Sequence, residues 1–275
     1  MVKTTISGHY FTRIILGLLL TFFFHNAVST PAFPSGNEQG RKNDVRRFEG
    51  EVLKYNIGFW LFKKVGTVTF KCGRNSNDLV VTIDACTMGF LDKIIHRHNI
   101  YRTVMKIEDG RLMPVSSYEK KTKREKERVM ITNYDYENNI CNFETRKNGV
   151  IYKKGSVKLA PDKCDDMISV SYNVRNEIYG EVKEGASFNI TTVYKDKFPS
   201  FSANVRSAGN LDGLSKWKDI ISHVKYVADV ALDPEVLDSK EGKLVVLYTE
   251  DLIPVGFIAK DVIGFGDLYG FLVEE

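Results

Sequence analysis

From Phe48 onward, apolar and polar side chains alternate with a period of two, the spacing of a half-buried β-strand. Leu53, Tyr55 and Ile57 share one face, with Val52, Lys54 and Asn56 on the other. The alternation breaks at Phe59-Trp60-Leu61-Phe62 and Lys63-Lys64, and resumes at Gly66 so that Val68, Phe70 and Cys72 share a face. A turn over residues 73–78 then leads into a strand over 79–85, which predicts a hairpin. Further strand-like runs cover residues 101–108, 113–121, 128–136, 139–146, 150–159, 187–194, 223–230, 243–249 and 255–258. Turn signals separate these runs at short, regular intervals, as in a meandering antiparallel sheet or barrel.

One segment departs from this period. After Asp165, a helix cap by its residue type, Met167, Val170, Val174 and Ile178 recur at helical spacing, and Gly180 stops the run. A sheet face needs a second layer, and a crossing helix can supply it. The expected fold is therefore mainly β: a single strongly curved antiparallel sheet, a half-barrel, with one crossing helix. Residues 48–275 are expected to form one domain, since no linker-like stretch divides them.

The N-terminal segment follows neither pattern. Lys3 and Arg13 precede an apolar run over residues 14–24, and Ala27-Val28-Ser29 follows. This is the layout of a secretory signal peptide, with cleavage expected near Ser29. Such a run rises about 16 Å as a helix, half of a hydrocarbon core of about 30 Å. No transmembrane segment is expected in the mature chain, which is expected to be periplasmic. Residues 30–47 hold Pro31, Pro34, Gly36, Gly40 and scattered charges, and are expected to be a flexible leader.

Composition adds exclusions. The chain has 275 residues, 43% hydrophobic and 27% charged, which rules out disordered, collagen-like and polytopic membrane classes. Its net charge of +4 includes two bases from residues 1–29, so the remainder is nearly neutral. The densest charge run, residues 120–128, interleaves acids with bases at a strand connection and is expected to be a solvated hairpin end. It carries no interleaved aromatic residues, so no nucleic-acid partner is expected.

Four motifs, in order along the chain, resemble the bacterial domain of unknown function 3108. They are Gly50-Glu51-Val52-Leu53-Lys54-Tyr55-Asn56-Ile57 followed by a Trp and Gly66, then Leu112-Met113-Pro114 through Tyr118. Asp166, Ser169, Tyr172 and Arg175 follow at successive threes, and Asp251-Leu252-Ile253-Pro254-Val255 forms a late turn. The resemblance covers residues 48–275 and implies an exported envelope protein with a fold like the half-barrels of lipoprotein carriers. It implies no activity. Ile253 stands where the family has a basic residue.

Candidate chemistry is sparse. No H-E-x-x-H, G-x-S-x-G, Walker or C-x-x-C motif occurs, so no catalytic residue and no cofactor are assigned. On a strand, His96 and His98 would share a face, but a metal would need Asp84 or Asp92 as well, and a polar edge is the expectation. Asp166 and Ser169 are neighbours on the helix, and without a positioned base they form no activated nucleophile. Cap and sheet-tying roles are expected for Asp166, Ser169, Tyr172 and Arg175. Cys72, Cys86, Cys141 and Cys164 in an exported chain favour disulfides. Cys72 and Cys86 are out of register and on opposite faces of their hairpin, and Cys141–Cys164 is the preferred pair.

Phe59, Trp60, Leu61 and Phe62, flanked by Lys63 and Lys64, are the candidate binding residues. Four large apolar side chains at a turn exceed what a turn normally hides. The leading expectation is a non-enzymatic envelope protein holding a lipid or other amphipathic molecule in an apolar groove. The alternative is a scaffold component docking onto an envelope protein partner.

Overall fold

The computed structural model describes residues 44–59, 61–159, 164–193, 197–209, 221–237, 239–262 and 265–273. The expected signal peptide, the leader to residue 43, and Trp60 lie outside the described residues.

Among the described residues, fourteen strands pair into one antiparallel sheet. The first eight are β1 (Val52–Phe59), β2 (Phe62–Asn75), β3 (Asp78–Thr87), β4 (Arg97–Glu108), β5 (Arg111–Lys123), β6 (Lys126–Asp135), β7 (Ile140–Lys147) and β8 (Val150–Lys158). The others are β9 (Ser187–Thr191), β10 (Ser200–Ser207), β11 (Tyr226–Ala231), β12 (Lys243–Tyr248), β13 (Pro254–Val262) and β14 (Gly266–Leu272). Their order is β8-β7-β6-β5-β4-β3-β2-β1-β14-β13-β12-β11-β10-β9, so two meanders are joined where β1 meets β14. Two tight connections, Asp109-Gly110 and Asn148-Gly149, have positive φ at both residues, the type I′ geometry that matches the twist of a hairpin.

The sheet is not closed by a β8–β9 ladder. Instead Asp165, ahead of the helix, meets the chain that follows β9. Asp165 makes a parallel bridge with Thr192, and the Val193 N–H donates to the Asp165 carbonyl at 2.8 Å. Cys141, Cys164 and Val193 meet there in a buried cluster with Tyr134 and Leu159. Helix α2 (Met167–Arg175) follows at once and lies inside the curve. It packs on β4 and β5, while Val170 joins a core with Phe188, Ala203, Ala228 and Tyr248 from the opposite wing. A short helix, α1 (Gly89–Ile95), lies between β3 and β4.

Glycine and aromatic residues let the wall bend where the meanders join. A Cβ on Gly270 would lie 2.4 Å from the Phe257 ring and 2.7 Å from Ile57, and one on Gly256 would strike Phe271 at 2.7 Å. The rings cover the glycines, a device of strongly curved sheets. Gly270→Val is expected to cost about 1–3 kcal/mol by overpacking, read as a lower urea midpoint with unchanged slope.

Several expectations are corrected. The helix is capped by Asp166 rather than Asp165, because the Asp166 carboxylate accepts from the backbone N–H of Ile168 at 3.1 Å and of Ser169 at 2.7 Å. Ser169 Oγ in turn accepts from Asp166 N at 2.9 Å, completing a capping box. The helix ends at Arg175, so Ile178 lies beyond it. Part of the expected leader is structured: Val45–Phe48 forms a 3-10 turn capped by Asp44, with Val45 and Phe48 buried. Strands β10 and β14 and helix α1 join the elements expected from the period.

No disulfide joins the four cysteines, and the preferred Cys141–Cys164 bond is not formed. The two side chains share one apolar cluster, and burial pushes the Cys141 thiol up to about 11, so it stays protonated. Cys72 stands opposite Val81, and Cys86 stands opposite Thr67.

Candidate functional site

The register of β1–β6 builds the inner wall. Leu53, Phe70, Ile83, Tyr101, Glu119 and Met130 are successive cross-strand partners in one row, so all six face the same side of the sheet. Alternation places Tyr55, Thr103, Ser117, Thr132 and Tyr134 on this face too. Across the interior, β12–β14 contribute Val246, Tyr248, Phe257, Ala259 and Leu268. Helix α2 covers one end with Met167, Ile168, Ser171 and Tyr172. Between these surfaces lies a cavity of about 340 Å³.

Its wall is two-sided. The β1–β3 and β12–β14 side is apolar, whereas β4–β6 present hydroxyls and one ion pair. Lys121 Nζ lies 2.7 Å from Glu119 Oε1 and 5.4 Å from the Tyr101 ring centroid, with both charged residues buried. Burial pushes the Tyr248 phenol up to about 12 and raises that of Tyr134 well above the ordinary value, so both remain hydroxyls at neutral pH. The cavity therefore offers an apolar surface and a compact polar end, a constellation suited to binding.

The helix signature residues hold α2 in place. Asp166 Oδ2 accepts from Thr103 Oγ1 at 2.6 Å, and burial raises its carboxyl against the hydrogen bonds from Ser169 and Thr103 that lower it. Asp165 accepts from Arg111, Tyr179, Ser169 and Asn173. Asn173 exchanges two hydrogen bonds with the Leu112 backbone, at 2.9 and 2.8 Å. Arg175, only 3% exposed, makes a two-pronged ion pair with Glu51 at 2.8 and 2.5 Å and donates to the Leu252 carbonyl at 3.0 Å. The Tyr172 hydroxyl donates to the same Glu51 carboxylate at 3.3 Å. Burial works to lower the Arg175 pKa, but the Glu51 hydrogen bonds and charge outweigh it and raise it.

The late turn is tied to this network from the other side. The Pro254 carbonyl accepts from the Tyr55 hydroxyl at 2.6 Å, while Asp251 is exposed. Asp166, Ser169, Tyr172, Arg175 and Pro254 are thus brought to one end of the interior, with Asp251 exposed outside it beside Leu252. All five make contacts that position helix or turn.

The aromatic turn divides. Phe59 and Phe62 meet at 5.3 Å with tilted rings, Phe59 meets Phe265 at 5.4 Å, and Phe62 meets Phe90 of α1 at 5.4 Å, which closes the end of the interior opposite α2. Leu61 is 70% exposed. His96 and His98 do not share a strand face: His96 caps α1 with its Nδ1 3.1 Å from Asp92, and His98 Nε2 lies 2.9 Å from Asp84.

Glu119 and Lys121 are site residues that sequence reasoning passed over. Lys121 belongs to the charge run assigned to a solvated hairpin end, but it lies three residues inside the ladder and points inward. The signal was the parity of Ser117, Glu119 and Lys121, masked because their outward neighbours are polar as well.

Residues 54–265 match the family described as Protein of unknown function (DUF3108). No curated protein matches the chain. Among solved structures, the chain is similar to the crystal structure of a beta-barrel-like protein of domain of unknown function DUF1849 from Brucella abortus. The two are 11% identical, the match covers 81% of this chain and 95% of that one, and the TM-score is 0.48.

Proposed function

The chain belongs to the DUF3108 family of proteins of unknown function, and we propose that it is an exported binding protein that holds a lipid or similar amphipathic molecule inside its curved sheet. The observation that carries this reading is the cavity of about 340 Å³ with its apolar wall and its Glu119–Lys121 end. That volume lies in the range of small-molecule sites, roughly 300–1,000 Å³. Each methylene moved from water into such an interior contributes about 0.8 kcal/mol, so an acyl segment of modest length binds usefully. The headgroup would meet the hydroxyls and the ion pair on the β4–β6 side.

Export is part of the proposal and rests on the charged, apolar and small-residue order of residues 1–29. No helix among the described residues is long and apolar enough to cross a membrane. The open outer strand β8 could favour a scaffold role instead. Its lysines, Lys153, Lys154 and Lys158, are the charges that discourage strand addition at a sheet edge.

The test is to purify the protein natively and analyse an organic extract by mass spectrometry. The expected result is an acyl-chain compound at near-stoichiometric amount. A ligand-free preparation that also fails to bind a fluorescent fatty acid would overturn the reading.

A further inference from the structure

Alternate connections of an up-and-down sheet lie at the same edge. In the β1–β8 meander and at its seam with β14, the β1–β2 turn, α1, the β5–β6 turn, the β7–β8 turn and the β13–β14 turn therefore share the edge opposite α2. Contacts make that rim continuous. Phe59 and Phe62 join the β1–β2 turn to Phe265 and to Phe90 of α1. The Arg124 N–H donates to the His96 carbonyl at 2.8 Å, and Asn148 exchanges hydrogen bonds with Glu127 at 2.9 and 2.8 Å.

Exposed apolar side chains concentrate on this rim. Of the nine large apolar residues exposed among the described ones, seven are here, and Val52 and Phe198 are the exceptions. Leu61 and Val150 are 70% exposed and Tyr152 65%, and Met88, Phe90, Ile94 and Ile151 are exposed as well. Soluble proteins scatter such residues singly, and a concentration of them along one rim marks a contact surface. Cations are interleaved with them: Lys63, Lys93, Lys123, Arg124, Lys126 and Lys147 are exposed, against the exposed acids Glu125, Asp261 and Asp267 on or beside the same turns. Desolvation, and after it the neighbouring charges of Arg97, Arg124 and Lys126, lower the Lys123 pKa.

We infer that this rim docks the protein onto a bilayer rich in anionic phospholipid. Apolar side chains would enter the interface while the surrounding ammonium and guanidinium groups meet phosphates. Charge complementarity selects this occupant, because a second copy would bring the same cations together. The inference goes beyond the cavity and stands whether or not a ligand fills it.

The experiment is flotation of the purified protein with vesicles of phosphatidylglycerol and phosphatidylethanolamine, and with vesicles of phosphatidylcholine alone. The protein is expected to float with the first, to release as salt rises, and to float poorly with the second. Leu61→Glu and Ile94→Glu, both at exposed positions where folding is undisturbed, are each expected to weaken binding about tenfold or more. Val52→Glu, at the other edge, is expected to leave it unchanged. No flotation of the wild-type protein would overturn the inference. So would equal loss in Val52→Glu, or a salt-stable dimer that Ile94→Glu dissolves without any vesicle binding. Fluorescent fatty-acid binding by the same variants reads the cavity separately, since a failed cavity changes that signal and not flotation.

Discussion

Glu51→Ala is expected to destabilise the domain by about 3–5 kcal/mol, because it leaves the Arg175 guanidinium buried without its counter-charge. Arg175 sits among Glu51, the Leu252 carbonyl and the faces of Phe48 and Tyr172, with ring centroids at 4.6 and 5.2 Å. These contacts join the chain before β1, helix α2 and the turn before β13, so one residue links both wings of the sheet. For a domain of this size the loss corresponds to a fall in Tm of about 6–20 °C. The double variant Glu51→Leu with Arg175→Leu is expected to recover much of it, since replacing a whole buried pair by apolar residues is often nearly neutral. Thermal unfolding followed by circular dichroism checks both. A single variant within about 1 kcal/mol of wild type would show that the pair is not the tie described.

Ser171→Trp is expected to weaken fatty-acid binding strongly at a modest cost in stability. Ser171 faces the cavity from α2 and makes no side-chain hydrogen bond to the sheet among those that fix the helix. An indole there enters empty space lined by Tyr248, Leu244 and Phe257, so it replaces the ligand's apolar contacts with its own. Overpacking limits the structural cost to about 1–3 kcal/mol. Affinity for a fluorescent fatty acid is expected to fall by about tenfold or more, and flotation with anionic vesicles to be retained. Unchanged fatty-acid affinity in a folded Ser171→Trp protein would place binding elsewhere.

Strand β1 was readable because its inner and outer residues differ so plainly: Leu53, Tyr55 and Ile57 are buried, while Val52 and Lys54 face out. β14 was not readable, because Gly-Asp-Leu-Tyr-Gly-Phe-Leu lacks β-branched residues and uses glycine where the wall bends around Phe257 and Ile57. α1 escaped notice because seven residues are too few for a helical period, and only Leu91 is buried. Asp165 and Asp166 are adjacent carboxylates with the same capping propensity. Only the tertiary pairing of Asp165 with Arg111 and Thr192 leaves the cap to Asp166.

The candidate site was legible in outline only. An apolar groove follows from a curved sheet with one buried face, and the aromatic turn stood out as an anomaly of composition. In the fold, Phe59 and Phe62 plug one end of the interior, and Leu61 belongs to the rim. The ion pair inside the cavity was hidden in a run of charges. Only the cross-strand register, which places Glu119 against Tyr101 and Met130, separates its inward members from its outward ones.

The most direct test of the central claim is photolabelling with a fatty acid that carries a photoreactive group on its chain, mapped by peptide mass spectrometry. An interior site predicts adducts on cavity residues such as Met130, Met167 and Tyr248, lost in Ser171→Trp. Adducts confined to Leu61, Phe90 and Ile94, with the interior unlabelled, would contradict it.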